Sequence, residues 1–227
     1  MNAVFSNRRD AGRRLAQQLT SYFNHPQAIV LGLSRGGVPV AYEIAKVLHL
    51  PLDVCLVKKI GLPDAPEKTV GAIAEDALVH DYSGKITIID ENITQKSVLE
   101  LAQIQAIAAR VKADLRWREC CYRHYRPLLK IAGSVVIIVD DGIATGLTMH
   151  AAITALQRHQ PQKLILAVPV APEETLQQFE TLTDDITCLI TPQSLGAVGF
   201  WYEDFDRVSD RQVCDLLSRE TRLVLSH

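Results

Sequence analysis

The sequence predicts an α/β fold: a mostly parallel sheet with helices on both faces, plus one helical excursion. Three observations carry this. Short apolar runs alternate with helical segments along most of the chain, and continuous apolar strands of that kind belong to sheets covered on both sides. Val135 to Val139 is five consecutive β-branched residues bounded by turn signals, the clearest strand. The 227 residues, 48% of them hydrophobic, can fill one substantial core, and no repeat or linker divides them, so a single domain over 1–227 is expected.

The elements follow in order. Ser6 to Leu19 reads as a helix capped by Ser6, with Ala11, Leu15 and Leu19 on one face. Ala28 to Leu33 is a strand. Val38 to Leu50 is a helix that Pro51 ends, and Asp53 to Val57 is the next strand. Gly71 to Glu75 and Lys85 to Asp90 suit two strands of a short meander. From about Thr94 to Tyr125, apolar residues such as Val98, Leu101, Ile104, Val111 and Leu115 recur at helical spacing. This stretch, the excursion at about 94–126, is too long for a simple crossover. Thr148 to His159 is a helix, Leu164 to Val168 a strand, Glu173 to Leu182 a helix and Ile186 to Ile190 the last core strand.

Composition excludes several classes. A net charge of -2 gives no global attraction to nucleic acid or anionic membrane. Five cysteines without a CxxC pair suit reduced cytosolic usage; Cys120-Cys121 alone is a poor zinc or redox site. No signal-peptide core begins the chain, and no apolar run approaches the ~20 residues of a membrane span, so a cytoplasmic protein without a membrane partner is expected.

The chemistry concentrates in VVIIVDDGIATGLT, Val135 to Thr148. A buried strand ends in two acids, a glycine-containing turn follows, and Thr148 opens a helix. Ligands of open α/β sheets bind beyond the carboxyl ends of strands. Free N–H groups of the turn and the helix N-terminus attract a phosphate, and Thr145 and Thr148 add hydroxyls. Asp140 and Asp141 can accept from two vicinal ribose hydroxyls, and one is placed to reach a hydrated Mg²⁺. No Lys follows Gly146, so this is not a P-loop, and there is no GxGxxG. A lone DDG would be only a turn; the surrounding pattern makes it a sugar-phosphate site.

The stretch resembles the signature of type I phosphoribosyltransferases, which use 5-phosphoribosyl 1-diphosphate. The resemblance implies that Asp140 and Asp141 hold the ribose hydroxyls, and that Gly142, Ala144, Thr145, Gly146 and Thr148 form the 5-phosphate turn. GLSRGGVPVA, Gly32 to Ala41, stands where the family binds diphosphate, often through a cis peptide. That implies diphosphate contacts from Ser34, Arg35, Gly36 and Gly37, with the cis bond between Ser34 and Arg35. The order DAGRRLA, LSRGGVPVA, KKIGLP, VGAIAE, DDGIATG, PVAP and AVGFWYEDF is similar to bacterial phosphoribosyltransferase-like proteins of unassigned substrate, some fused to hydrolase domains. It spans Phe5 to about Leu217. Two departures bear on the acceptor. Hypoxanthine-guanine enzymes carry an acid where Ala144 stands, and a Lys on the following strand, which here ends in Val168, Pro169 and Val170. An oxopurine therefore does not fit, whereas adenine-type enzymes accept Ala there.

Supporting residues keep two readings each. Lys58 and Lys59 either reach diphosphate or close a solvated strand end. Glu75 and Asp76 either accept a proton or form a turn. The resemblance places a small hood at about 191–206, where Trp201 and Tyr202 either stack on a heterocycle or pack with Phe200 and Phe205. Arg116, Arg118, Arg123, His124 and Arg126, interleaved with Trp117, Tyr122 and Tyr125, are a mobile lid, a nucleic-acid patch or a solvated helix face. The resemblance implies a Mg²⁺-dependent transferase. Arg35, Asp140 and Asp141 are its catalytic residues, the two acids its metal ligands, and a nitrogen heterocycle its acceptor. The protein is expected to be a homodimer. A regulator that senses phosphoribosyl diphosphate or nucleotides is the alternative, and a phosphoribosyl-bond hydrolase a weaker one.

Overall fold

The computed structural model describes residues 4–61, 69–75, 85–89, 101–123 and 129–224. Five strands, β1 (Ala28–Leu33), β2 (Leu52–Cys55), β6 (Val135–Val139), β7 (Lys163–Val170) and β8 (Asp185–Ile190), form one parallel sheet in the order β2-β1-β6-β7-β8. This is the α/β class the sequence predicts, a parallel sheet with helices on both faces. Successive side chains of a strand face opposite sides, and here both sides are buried. Val30, Ile137, Val139 and Ile165 lie in one core cluster. Ile29, Leu31, Val136, Ile138 and Leu166 lie in the other. That is why the strands read as continuous apolar runs rather than alternating ones.

Helices α1 (Arg8–Gln18), α2 (Gly37–Leu48), α3 (Leu101–Arg123) and α6 (Asp210–Val224) cover the first face, through Leu15, Ile44, Leu115 and Leu217 among others. Helices α4 (Leu147–Gln157) and α5 (Glu173–Gln177) cover the second, through Ala152, Leu156 and Leu176. Burying each such Leu or Ile contributes about 1.5–3 kcal/mol over leaving it exposed.

Several expectations are corrected. Asn7, not Ser6, caps α1: its side chain accepts from the N–H groups of Arg9 and Asp10 at 3.0 Å. The run Asp53 to Val57 is two strands. β2 stays in the parallel sheet, while β3 (Val57–Gly61) turns away to pair antiparallel with β4 (Thr69–Glu75), which pairs with β5 (Lys85–Ile89). The meander thus has three strands, and Lys58 and Lys59 lie inside the first. The helix after β7 regularises only over Glu173–Gln177 and continues as turns.

The end of the excursion is packed down. Tyr122 and Arg123 are buried; the Arg123 guanidinium donates to the Val54 carbonyl at 3.2 Å and lies 3.7 Å from the Asp53 carboxylate. Arg123 anchors α3 to β2 and is not a lid residue. Asp76, His124, Tyr125 and Arg126 lie outside the described residues.

Candidate functional site

The site forms where the chain switches direction across the sheet. From β1 it steps to β2 on one side, and from β6 to β7 on the other, so the carboxyl ends of the neighbours β1 and β6 open a crevice (Gly32 is opposite Val139). Two turns line it. The first, after β1, leads through Ser34, Arg35 and Gly36 into α2. Its Ser34–Arg35 peptide is cis, as the resemblance implies. The Ser34 N–H donates to the Cys55 carbonyl at 3.0 Å, and its hydroxyl lies 3.3 Å from both backbone polar atoms of Val57, tying the turn to β3.

Close approach explains the glycines here. A Cβ on Gly36 would stand 2.1 Å from Asp141 Oδ2, and one on Gly37 would stand 2.4 Å from the Val139 carbonyl oxygen. The second turn runs from Asp140 to Gly146. Gly146 has φ 80°, the left-handed region, and from there α4 begins with its N-terminus toward the crevice.

Together the turns border a cavity of about 670 Å³. Ser34, Arg35, Gly36, Lys58 and Lys59 lie on its wall, as do Asp140, Asp141, Gly142, Ala144, Thr145, Gly146 and Thr148. Gly37 lies behind it, beneath Asp140. Among the described residues, six cationic side chains border the cavity against two carboxylates: Arg8, Arg35, Lys58, Lys59, Arg118 and Arg207. Such a surplus suits a polyanionic ligand.

The two acids differ. Asp140 Oδ1 accepts from the Asp141 N–H at 2.9 Å, and the Lys59 charge favours its ionised form. Asp141 Oδ2 accepts from Arg8 Nε at 2.8 Å. Burial, followed by the neighbouring Asp141 charge, pushes the Asp140 carboxyl well above its ordinary range. Burial raises Asp141 too, against the pull of Arg8.

A stability prediction follows from Asp140. Its raised value means the folded state holds a proton that the unfolded state has released, between the ordinary carboxylate range and the raised value. Stability therefore falls as pH rises through that window. Asp140→Asn removes the loss, so it should raise Tm by about a few degrees at pH 8. The gain should vanish toward pH 4. Thermal melts of both proteins across pH check this; a lower Tm for the variant at pH 8 would contradict it.

Sequence reasoning missed part of the wall. Arg8 opens α1, stacks over the Phe205 ring at 3.8 Å and donates to the Asp206 carbonyl. Nothing local marks it, since its partners lie more than 130 positions away. Val198, Phe205, Arg207 and Val208 also border the cavity.

Trp201 and Tyr202 do not border it. The Trp201 indole N–H donates to the Leu195 carbonyl at 3.1 Å. Tyr202 is buried against Phe5 and Phe205, and its hydroxyl donates to the Asp141 carbonyl. Among the described residues, the aromatic side chain that borders the cavity is Phe205, with Arg8 over its ring and Tyr202 stacked against it. Tyr202 instead steadies the acid turn from behind.

The family model described as the phosphoribosyl transferase domain matches residues 3–200. The chain belongs to that family. The chain is 38% identical over 219 residues to a protein of Mycobacterium tuberculosis, found in two strains and named "Putative phosphoribosyl transferase". The match covers 96% of this chain and 47% of the relative, so the chain spans about half the length of the curated relatives it matches. Among solved structures, TT1426 from Thermus thermophilus is 35% identical with a TM-score of 0.74, covering 95% of this chain and 98% of that one. Among the described residues, no helix is long and apolar enough to cross a membrane.

Proposed function

We propose that this protein moves the phosphoribosyl group of 5-phosphoribosyl 1-diphosphate to a nitrogen heterocycle. The C1–O bond to diphosphate breaks, a C1–N bond forms, and the acceptor nitrogen loses its proton. The observation that carries the proposal is the meeting of two glycine-bearing turns, two helix N-termini and the Asp140-Asp141 pair on one cation-rich cavity.

The residues divide the work by chemistry. N–H groups and hydroxyls from Ala144 to Thr148 form a neutral anion cradle for the 5-phosphate. Asp140 accepts from the ribose hydroxyls, and Asp141 shares that task while Arg8 fixes its carboxylate. Arg35, Lys58 and Lys59 meet the diphosphate and stabilise it as it leaves; such stabilisation counts most where charge develops and water is excluded. Val198 and the edge of Phe205, whose ring already carries Arg8 and Tyr202, offer an apolar border to a heterocycle.

The donor set fits magnesium in part. Two adjacent carboxylates are hard oxygen ligands, but among the described residues no group of three or more acidic, His or Cys side chains gathers. Asp140 and Asp141 would therefore hold Mg²⁺ jointly with donor oxygens and water. When bound, the ion neutralises part of the diphosphate charge.

The test is diphosphate release from the donor plus Mg²⁺ over a panel of purines, pyrimidines and other nitrogen heterocycles. Release should require one of the acceptors. Donor binding with no release for any of them would favour the sensor.

A further inference from the structure

Three of the cavity's cations are linked by a chain of alternating charge. Lys58 Nζ lies 2.9 Å from Asp114 Oδ2, and the same oxygen lies 3.2 Å from Arg118 Nη2. Arg118 Nε stands 3.5 Å from Asp210 Oδ1, and Asp210 Oδ2 stands 3.2 Å from Arg35 Nη1. The Tyr122 hydroxyl also donates to Asp210 Oδ1. The chain crosses β3, α3, α6 and the turn after β1. All three cations border the cavity, and the two carboxylates stand behind them. Asp210 opens α6, which lies beyond the 3–200 match to the family.

We infer that Asp210 and Asp114 are positioning residues that hold Arg35, Arg118 and Lys58 toward the diphosphate end of the donor. The inference rests on the donor proposed above. The turn from Ala144 to Thr148 offers only neutral donors, which suits a monoester phosphate. The wall built from β3, α3 and the turn after β1 concentrates the cations, which suits the more highly charged diphosphate.

Each carboxylate engages only some of a cation's donors; an arginine has five N–H donors in a planar fork. Without the carboxylates the long side chains would sample many rotamers. Ordering one such chain upon binding costs roughly two- to tenfold in affinity. Two further facts agree. The Tyr122 hydrogen bond and the neighbouring Arg35 and Arg118 lower the Asp210 carboxyl despite the opposing effect of burial, so it stays anionic. Burial, then the bond to Asp210, raises Tyr122, so it stays a donor.

The sign of the effect separates positioning from background charge. By Coulomb's law alone, removing an acid should strengthen binding of an anion. Positioning predicts the reverse, and only for a ligand that carries the diphosphate. The experiment is calorimetry of 5-phosphoribosyl 1-diphosphate and of ribose 5-phosphate, at fixed Mg²⁺, with wild type, Asp210→Asn, Asp210→Glu and Asp114→Asn.

Asp210→Asn should weaken the diphosphate-bearing donor about tenfold and change ribose 5-phosphate less than about twofold, since two ordered arginines are at stake. Asp210→Glu should recover part of the loss, and Asp114→Asn should show a smaller selective loss. Unchanged or tighter donor binding in Asp210→Asn would overturn the inference. An equal loss for both ligands would also overturn it, as general loosening. If wild type binds ribose 5-phosphate but not the donor, or binds neither, the donor assignment itself fails and the inference falls with it.

Discussion

Replacing Asp140 and Asp141 together with Asn is expected to lower affinity for 5-phosphoribosyl 1-diphosphate by about a hundredfold or more, with the fold intact. Hydrogen bonds to a charged group contribute about 1.5–3 kcal/mol each, and two are at stake. Charge alone would act the other way, because taking two carboxylates out of a cationic cavity should favour an anion. A loss therefore reports hydroxyl and metal contacts rather than the general field. The fold should survive for an offsetting reason: the change frees Arg8 of its partner but ends the crowding of two acids at one strand end. Calorimetry measures the affinity, and a cooperative thermal melt checks the fold. Unchanged affinity would remove the two acids from the site.

Gly37→Ala should be as damaging through sterics. Its added methyl would meet the Val139 carbonyl oxygen at 2.4 Å and Asp140 Cα at 2.8 Å. Both are backbone atoms of the strand end that carries the acids, so no flexible side chain can yield. Overpacking of this kind costs about 1–3 kcal/mol or more, which for a chain of this size lowers Tm by about 2–12 °C. The site should suffer too, because the turn after β1 and the acid turn can separate only by moving both walls of the cavity. Thermal melts and donor titration test the two effects together. A variant with wild-type Tm and wild-type affinity would show that the turns do not pack as described.

Much of the architecture was legible because burial on both faces leaves long apolar runs. Ala28–Leu33 and Val135–Val139 match their sequence-predicted bounds. The break at Leu56 was not legible. Leu52 to Val57 is continuously buried across the break, so hydrophobicity cannot show that the chain leaves one sheet for another. Helix α6 could have been found. Ser209 and Gln212 form a reciprocal cap, with the Ser209 N–H on Gln212 Oε1 at 2.8 Å and the Gln212 N–H on Ser209 Oγ at 3.2 Å. Val213, Leu216 and Leu217 then follow at helical spacing.

The two phosphate turns were visible because each is local: strand, glycine turn, helix. The rest of the wall was not, because tertiary packing assembles it. Arg8, Phe205 and Arg207 come from opposite ends of the chain and meet only in the fold. Trp201 and Tyr202 misled for a related reason. Sequence shows an aromatic cluster but not which ring faces inward, and Tyr202 packs between Phe5 and Phe205.

The most direct measurement is a crystal structure with 5-phosphoribosyl 1-diphosphate and Mg²⁺. The predicted complex has the 5-phosphate within hydrogen-bond distance of the turn from Ala144 to Thr148, ribose hydroxyls on Asp140, and diphosphate oxygens on Arg35. A donor bound elsewhere, or an acid pair still engaged only by Arg8 and its own backbone at saturating donor, would contradict the assignment of this cavity.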